Sequence, residues 1–172
     1  MKVLKKIGCT LAIIGALATG SANAATLDLT TFIPAVGISG SVSTSSNYAL
    51  LTANSTLGSN VTGVTSFDWF FQANDYLPFN DYGYMTNGSF NSLSNVATVG
   101  NYGNSGWNTY TFGSAYTGYL AFGVTNVLDN SLSSQLHITN VIAAVPEPET
   151  YAMLLAGLSL LGFSARRRGK NA

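Results

Sequence analysis

Between Ile7 and Ala165 the chain has no Lys and no Arg, and its only Glu residues are Glu147 and Glu149. It has one Cys, at position 9, and one His, at position 137. Each scarcity excludes chemistry. A stretch without cations cannot neutralise phosphates, so nucleic acid is not a partner. One His and one Cys fall short of a zinc cage. A Ser-His-Asp arrangement around His137 is arithmetically open, but no G-x-S-x-G element accompanies it. No sequence pattern separates an acid from a base among Asp68, Asp75, Asp81 and Asp129, as a glycoside hydrolase requires. A catalytic role is therefore not expected.

The basic residues are confined to the ends: Lys2, Lys5 and Lys6, then Arg166, Arg167, Arg168 and Lys170. The first three open a segment with the parts of a secretory signal peptide, residues 1–24. A positive start is followed by a short apolar run from Ile7 to Ala18 and by Ala22-Asn23-Ala24, an A-x-A cleavage pattern. Cleavage is expected before Ala25, through the Sec export machinery and signal peptidase. Cys9 would leave with this peptide, so the mature chain would hold no disulfide, no thiolate nucleophile and no Cys-ligated metal.

The other end, residues 145–172, sets three devices in series. Pro146, Glu147 and Pro148 form a stiff tether, because proline lacks a backbone donor and holds the chain extended. An uncharged run over residues 150–165 follows, then a basic tail over residues 166–172. As a helix the run would be about 24 Å long, short of a hydrocarbon core of about 30 Å, so it spans the inner membrane only with help from snorkelling or local thinning. Arg166, Arg167 and Arg168 set direction, since basic residues stay on the cytoplasmic side. The expectation is a transmembrane helix that anchors an exported passenger transiently.

These residues resemble the sorting tail of PEP-CTERM proteins of Gram-negative bacteria: Pro146-Glu147-Pro148, the Leu/Ala/Gly-rich Met153-Leu-Leu-Ala-Gly-Leu-Ser-Leu-Leu-Gly162, and Arg166-Arg167-Arg168. The resemblance implies recognition by an exosortase, a membrane processing enzyme associated with exopolysaccharide production, and release of the passenger to the cell surface or beyond. Position 149 is Glu where such tails often carry a small or hydroxyl residue. Phe79-Asn80-Asp81-Tyr82-Gly83 also resembles an F-x-D-x-small element of a subgroup of these proteins, and brings no catalytic residues with it.

The passenger, residues 25–144, has the length of one domain. It is rich in Ser, Thr, Asn and Gly, and short apolar or alternating runs recur between turn-rich stretches. The expected fold is all-β, a single β-sandwich of jelly-roll-like type. Expected strands cover 26–33, 37–44, 48–52, 64–72, 82–86, 107–112, 118–125 and 135–143. Leu120, Phe122 and Val124 should share one face. Leu136, Ile138 and Ile142 should share another, with Gln135, His137 and Thr139 opposite.

The most distinctive block runs from Phe67 to Tyr84 and contains Asp68, Asp75 and Asp81. Two readings stand side by side. Asn74-Asp75 and Asn80-Asp81 suit turns in which the side chains bond their own backbone. The same oxygens suit calcium, with no Lys or Arg nearby to compete, although EF-hand spacing is absent. No other cofactor is expected. Aromatic side chains offer stacking faces for sugars. The candidate contacts for calcium or carbohydrate are Asp68, Asp75, Asn80, Asp81, Trp69 and Trp107. The favoured function is a non-catalytic structural or adhesive component of a biofilm matrix that binds exopolysaccharide. The alternative is a secreted hydrolase acting on that polysaccharide.

Overall fold

The computed structural model describes residues 23–145 and 148–168. The strands are β1 (Asn23–Thr26), β2 (Ile33–Val36), β3 (Ser41–Ser45), β4 (Tyr48–Thr52), β5 (Ser55–Gln72), β6 (Tyr82–Thr86), β7 (Phe90–Asn95), β8 (Asn108–Thr125) and β9 (Gln135–Val145). A 3₁₀ turn covers Leu29–Thr31, and two helices are α1 (Val96–Val99) and α2 (Pro148–Arg168). The strands lie in a compact unit over Ala22–Pro146.

All nine strands belong to one antiparallel sheet, ordered β3-β4-β9-β5-β8-β6-β7, with β1 also on β9 and β2 also on β5. The spine is β5, 18 residues long. Straight, it would reach about 60 Å, well beyond the diameter of a domain of this length, so it must bend. The bend lies where the register with β8 slips, between Val61 and Val64 and again between Val64 and Ser66. Gly63 sits there with φ +73°, a backbone geometry that suits glycine, and a Cβ on it would stand 3.0 Å from the Ala144 carbonyl oxygen. The opposite strand accommodates the turn with extra residues, since Val64 faces Tyr116 while Ser66 faces Thr111.

On either side of the bend β5 exchanges partners. Its first half pairs with β2, and its second half with β9. The two halves of the sheet therefore face each other. Phe67, from the second half, meets Phe122, from the part of β8 paired with the first half, edge-on at 4.9 Å between ring centres. Phe67 also stacks on Tyr110 at 5.2 Å. Gly83 of β6 lies so near the far half that a Cβ on it would be 3.0 Å from Phe71 and 3.1 Å from Leu136. Leu51, Leu57, Phe71, Leu120, Leu136 and Ile138 fill the space between and are fully buried.

The expected two-sheet sandwich is corrected by this topology. The fold is all-β, but a single sheet doubles over, because β5 and β8 run through the bend and belong to both layers. The separately expected strands 107–112 and 118–125 are one strand, β8, and the strand expected at 64–72 is the second half of β5. Strands over 48–52 and 82–86 are found as expected. Helix α1 and strand β7 are additions, with the Asn95 side chain accepting from Thr98 N–H at 2.9 Å to cap α1.

Residues 1–22 of the expected signal peptide lie outside the described residues, whereas Asn23 and Ala24 belong to β1 and pair with Val145 and Ala144. The C-terminal segment is helical over Pro148–Arg168, with Met153, Leu154, Leu155, Leu158, Leu160 and Leu161 all exposed. Among the described residues no helix is long and apolar enough to cross a membrane. The uncharged run is interrupted by Gly157, Ser159, Gly162 and Ser164 and closed by charges at both ends. The helix expected at 150–165 is thus present within α2, but its length and apolarity do not by themselves make it a span.

Because Phe67 joins the two halves, Phe67→Ala is expected to cost about 3–5 kcal/mol in urea unfolding. Ile33→Ala, on the exposed edge strand β2, should change stability by about 0.5 kcal/mol or less.

Candidate functional site

Alternation along β5 decides which side chains reach solvent. Phe67, Trp69 and Phe71 turn toward the facing half, and Asp68, Phe70 and Gln72 turn outward. The register then builds a lateral row on the outer face: Leu50 of β4 opposes His137 of β9, and His137 opposes Phe70 of β5. Trp107, one residue before β8, extends the row with its ring centre 5.6 Å from that of Phe70. Phe70 meets His137 edge-on at 5.2 Å, and Tyr48 lies 5.9 Å from His137 on the far side. The result is a run of four rings, on β4, β9, β5 and the residue before β8. Trp107 is 56% exposed, so the row is open to solvent at that end.

Polar side chains flank the row on both sides. Asp68 accepts from Thr109 Oγ1 at 2.6 Å and from Asn140 Nδ2 at 2.8 Å. Asn140 is in turn tied to Asn47, accepting from its amide at 2.9 Å and donating its own backbone N–H at 3.0 Å. On the other flank lie Gln72, Gln135, Thr52 and Ser41, whose positions are aligned by register. Apolar rings bordered by amides, hydroxyls and one carboxylate match the two surfaces of a pyranose, a C–H face that stacks and an edge of hydroxyls that hydrogen-bond.

The electrostatics narrow the class of ligand. Residues 23–145 include Asp28, Asp68, Asp75, Asp81 and Asp129 and no Lys or Arg. An anionic ligand would be repelled, and a neutral one would not. His137 does not alter this: burial lowers its pKa below the ordinary value, so it is neutral at pH 7. Its Nδ1 is hydrogen-bonded to the Tyr48 hydroxyl at 2.5 Å.

The six residues singled out from sequence fall in different places. Asp68 and Trp107 are on the outer face just described. Trp69 turns inward, packs against the core, and borders a cleft of about 370 Å³ with Leu93, Thr98, Asn104 and Asn108. Asn80 accepts from Ala97 N–H at 2.8 Å and holds α1 in place. Asp75 and Asp81 are fully buried. Reading from sequence missed Phe70, which stands in a run of three consecutive rings where parity is ambiguous. It also missed the part played by His137, although its outward direction was legible from the alternation of β9.

At the other end of the chain, Pro148 begins α2 and Arg166, Arg167 and Arg168 close it, while Pro146 and Glu147 lie outside the described residues. Residues 144–168 match the family model of the PEP-CTERM protein-sorting motif. The chain carries a PEP-CTERM sorting signal. This sorting signal marks an exported protein processed by an exosortase, with transient anchoring at the membrane before it reaches the surface. The match begins at Ala144, within β9, so the last turn of sheet and the sorting signal share residues. A comparison with curated proteins returned no match.

The depressed pKa of His137 fixes the sign of one pH effect. The unfolded chain takes up this proton more readily than the folded one, so the stability from the neutral ring is complete above about pH 6.5 and is lost as pH falls below it. Thermal melts are expected to show a lower Tm at pH 5.5 than at pH 7.5, and His137→Gln should reduce the difference.

Proposed function

We propose that this protein is a non-catalytic surface or matrix component, sorted by an exosortase, whose domain binds neutral exopolysaccharide along the outer row of Trp107, Phe70 and His137. The observation that carries the reading is the row itself, a solvent-facing line of rings with Asp68, Thr109 and Asn140 beside it. Export through Sec and removal of residues 1–24 by signal peptidase precede sorting. The C-terminal helix crosses the inner membrane for a time, its short apolar run aided by snorkelling of Arg166, Arg167 and Arg168. Cleavage near Pro146-Glu147-Pro148 then frees the domain into the biofilm matrix. Catalysis at Asp75 and Asp81 is disfavoured by their burial, which closes both carboxylates to a polymer substrate.

Binding is tested by retention of the secreted protein on the producer's own purified exopolysaccharide. Trp107→Ala is expected to weaken retention by about tenfold, as loss of a ring contact worth about 1.5 kcal/mol implies. Tyr119→Ala, on the outer face of the other half, should leave it unchanged. Equal retention of Trp107→Ala and the unmodified protein would sink the proposal. Sorting is tested separately by intact mass. The secreted species should lack everything after the Pro-Glu-Pro segment, and a medium form still ending at Ala172 would refute processing.

A further inference from the structure

Asp75 and Asp81 are both fully buried in a domain that has no Lys or Arg to pair with them. A buried carboxylate needs a partner, because removal from water without compensation is costly. Asp81 has partial compensation: Oδ1 accepts from Val127 N–H at 2.9 Å, and Oδ2 accepts from Ser134 Oγ at 2.7 Å. Asp75 has less. Its Oδ1 accepts from Tyr76 N–H at 2.8 Å, and its Oδ2 has no hydrogen-bond partner among the described residues. The two acids are linked through Ser134, whose Oγ donates to Asp81 Oδ2 and accepts at 3.3 Å from the backbone N–H of Asn74, the residue before Asp75.

A neutral oxygen is left in the same state beside them. Asn126 is 7% exposed, and its Oδ1 has no partner either. The ladder between β6 and β8 places Tyr82 opposite Thr125 and Gly83 opposite Val124. The ladder ends there, and just beyond it the Asp81 side chain bonds the backbone of Val127, the residue next to Asn126. The loop before β9 closes the group. Ser133 O accepts from Asn74 Nδ2 at 2.8 Å, Ser133 Oγ lies 3.5 Å from Asn126 Nδ2, and Ser134 Oγ bonds Asp81. The remaining buried oxygen without a partner, Ser55 Oγ, belongs to the neighbouring register row, where Ser55 faces Val124.

Two of these atoms, the Asp75 and Asn126 oxygens, are acceptors only and cannot satisfy each other. What they lack is a hydrogen-bond donor or a cation in its place. Among the described residues no group of three or more His, Cys, Asp or Glu gathers, so the donor set is two carboxylates with amide and hydroxyl oxygens. That set suits a hard, oxygen-seeking cation and not zinc or copper. We propose that this end of the domain binds calcium, with Asp75 Oδ2 and Asn126 Oδ1 as direct ligands and Asp81 supplying the second carboxylate, whose oxygens each retain a free lone pair. The site joins the loop before β6 to the segment between β8 and β9, so the ion would pin two irregular chain segments at the end of the β6–β8 ladder. This proposal is independent of polysaccharide binding on the outer face.

The test is thermal unfolding of the secreted protein after stripping with EDTA, then with calcium chloride added to about 1 mM at constant ionic strength. A native-state ligand must stabilise, and a Tm rise of about 5 °C or more is expected. Asp75→Asn, which keeps the shape and removes the charge, should abolish that rise without lowering the metal-free Tm. Asp68→Asn, on the outer face, should retain it. An unchanged Tm in the unmodified protein would overturn the proposal and leave a shared proton as the neutralising agent. So would a rise that survives in Asp75→Asn or disappears in Asp68→Asn. If Asp75→Asn does not fold, the comparison of stripped and calcium-loaded unmodified protein still decides.

Discussion

The contact of Phe67 with Phe122 is where one sheet becomes two layers. Without it, β5 and β8 would be a long twisted ribbon with apolar side chains on one face and nothing to cover them. No disulfide, salt bridge or second sheet among the described residues substitutes for this closure. The chain doubles back because Phe67, Phe71, Leu120 and Phe122 can be dry only against one another, and the area they remove from water is the main term that opposes chain entropy. Everything on the outside follows from the same event. Once one set of alternating residues is committed to the interior, the other set is presented to solvent in straight lateral rows.

Carboxylates in this domain are served by hydroxyls and amides in place of cations. Asp28 accepts from the Thr30 hydroxyl and backbone, Asp68 from Thr109 and Asn140, Asp81 from Ser134 and a backbone N–H, and Asp129 from the Ser131 backbone. The abundance of Ser, Thr and Asn, which from composition alone looks like low-complexity filler, thus has a structural use. For Asp28, the Thr30 hydroxyl and then its backbone N–H hold the carboxyl below its ordinary pKa. Donors of this kind leave the domain negative overall, which keeps anionic polymers at a distance and leaves neutral ones free to approach.

Much of the strand pattern was legible where a single face is buried. Leu136 and Ile138 are buried with His137 half-buried between them, as the sequence suggests, and Leu120, Phe122 and Val124 are buried as expected although Ala121 and Gly123 between them are buried too. The pattern then fails at Asn140, whose φ of +50° shifts the parity of β9, so that Val141 and Ala143 are buried in place of Ile142. Asn tolerates that backbone region, and nothing in the flanking residues announces it. The junction inside β8 was hidden for a related reason: Gly113-Ser-Ala-Tyr-Thr-Gly118 reads as a loop, yet it runs on as strand across the bend of β5. As for the site, Asp68 and Trp107 were visible as polar and aromatic surface candidates. Their partners Phe70 and His137 come from other strands, and only register brings them into line.

The pairing of β1 with β9 places Asn23 directly opposite Val145. The chain therefore enters and leaves the domain at one corner, through neighbouring antiparallel strands. Tension between the two ends would not shear the doubled sheet. It would open this ladder one rung at a time from that corner, since the bonds run across the strands and bear the load singly. A cut before Ala25 would remove the first two rungs and leave Ala25, Thr26 and the Leu27 N–H bond to the Val141 carbonyl as the remaining fastening, so the outermost strand can peel away while Phe67 and Phe122 stay packed. Mechanically, the domain is a body hung from a zipper.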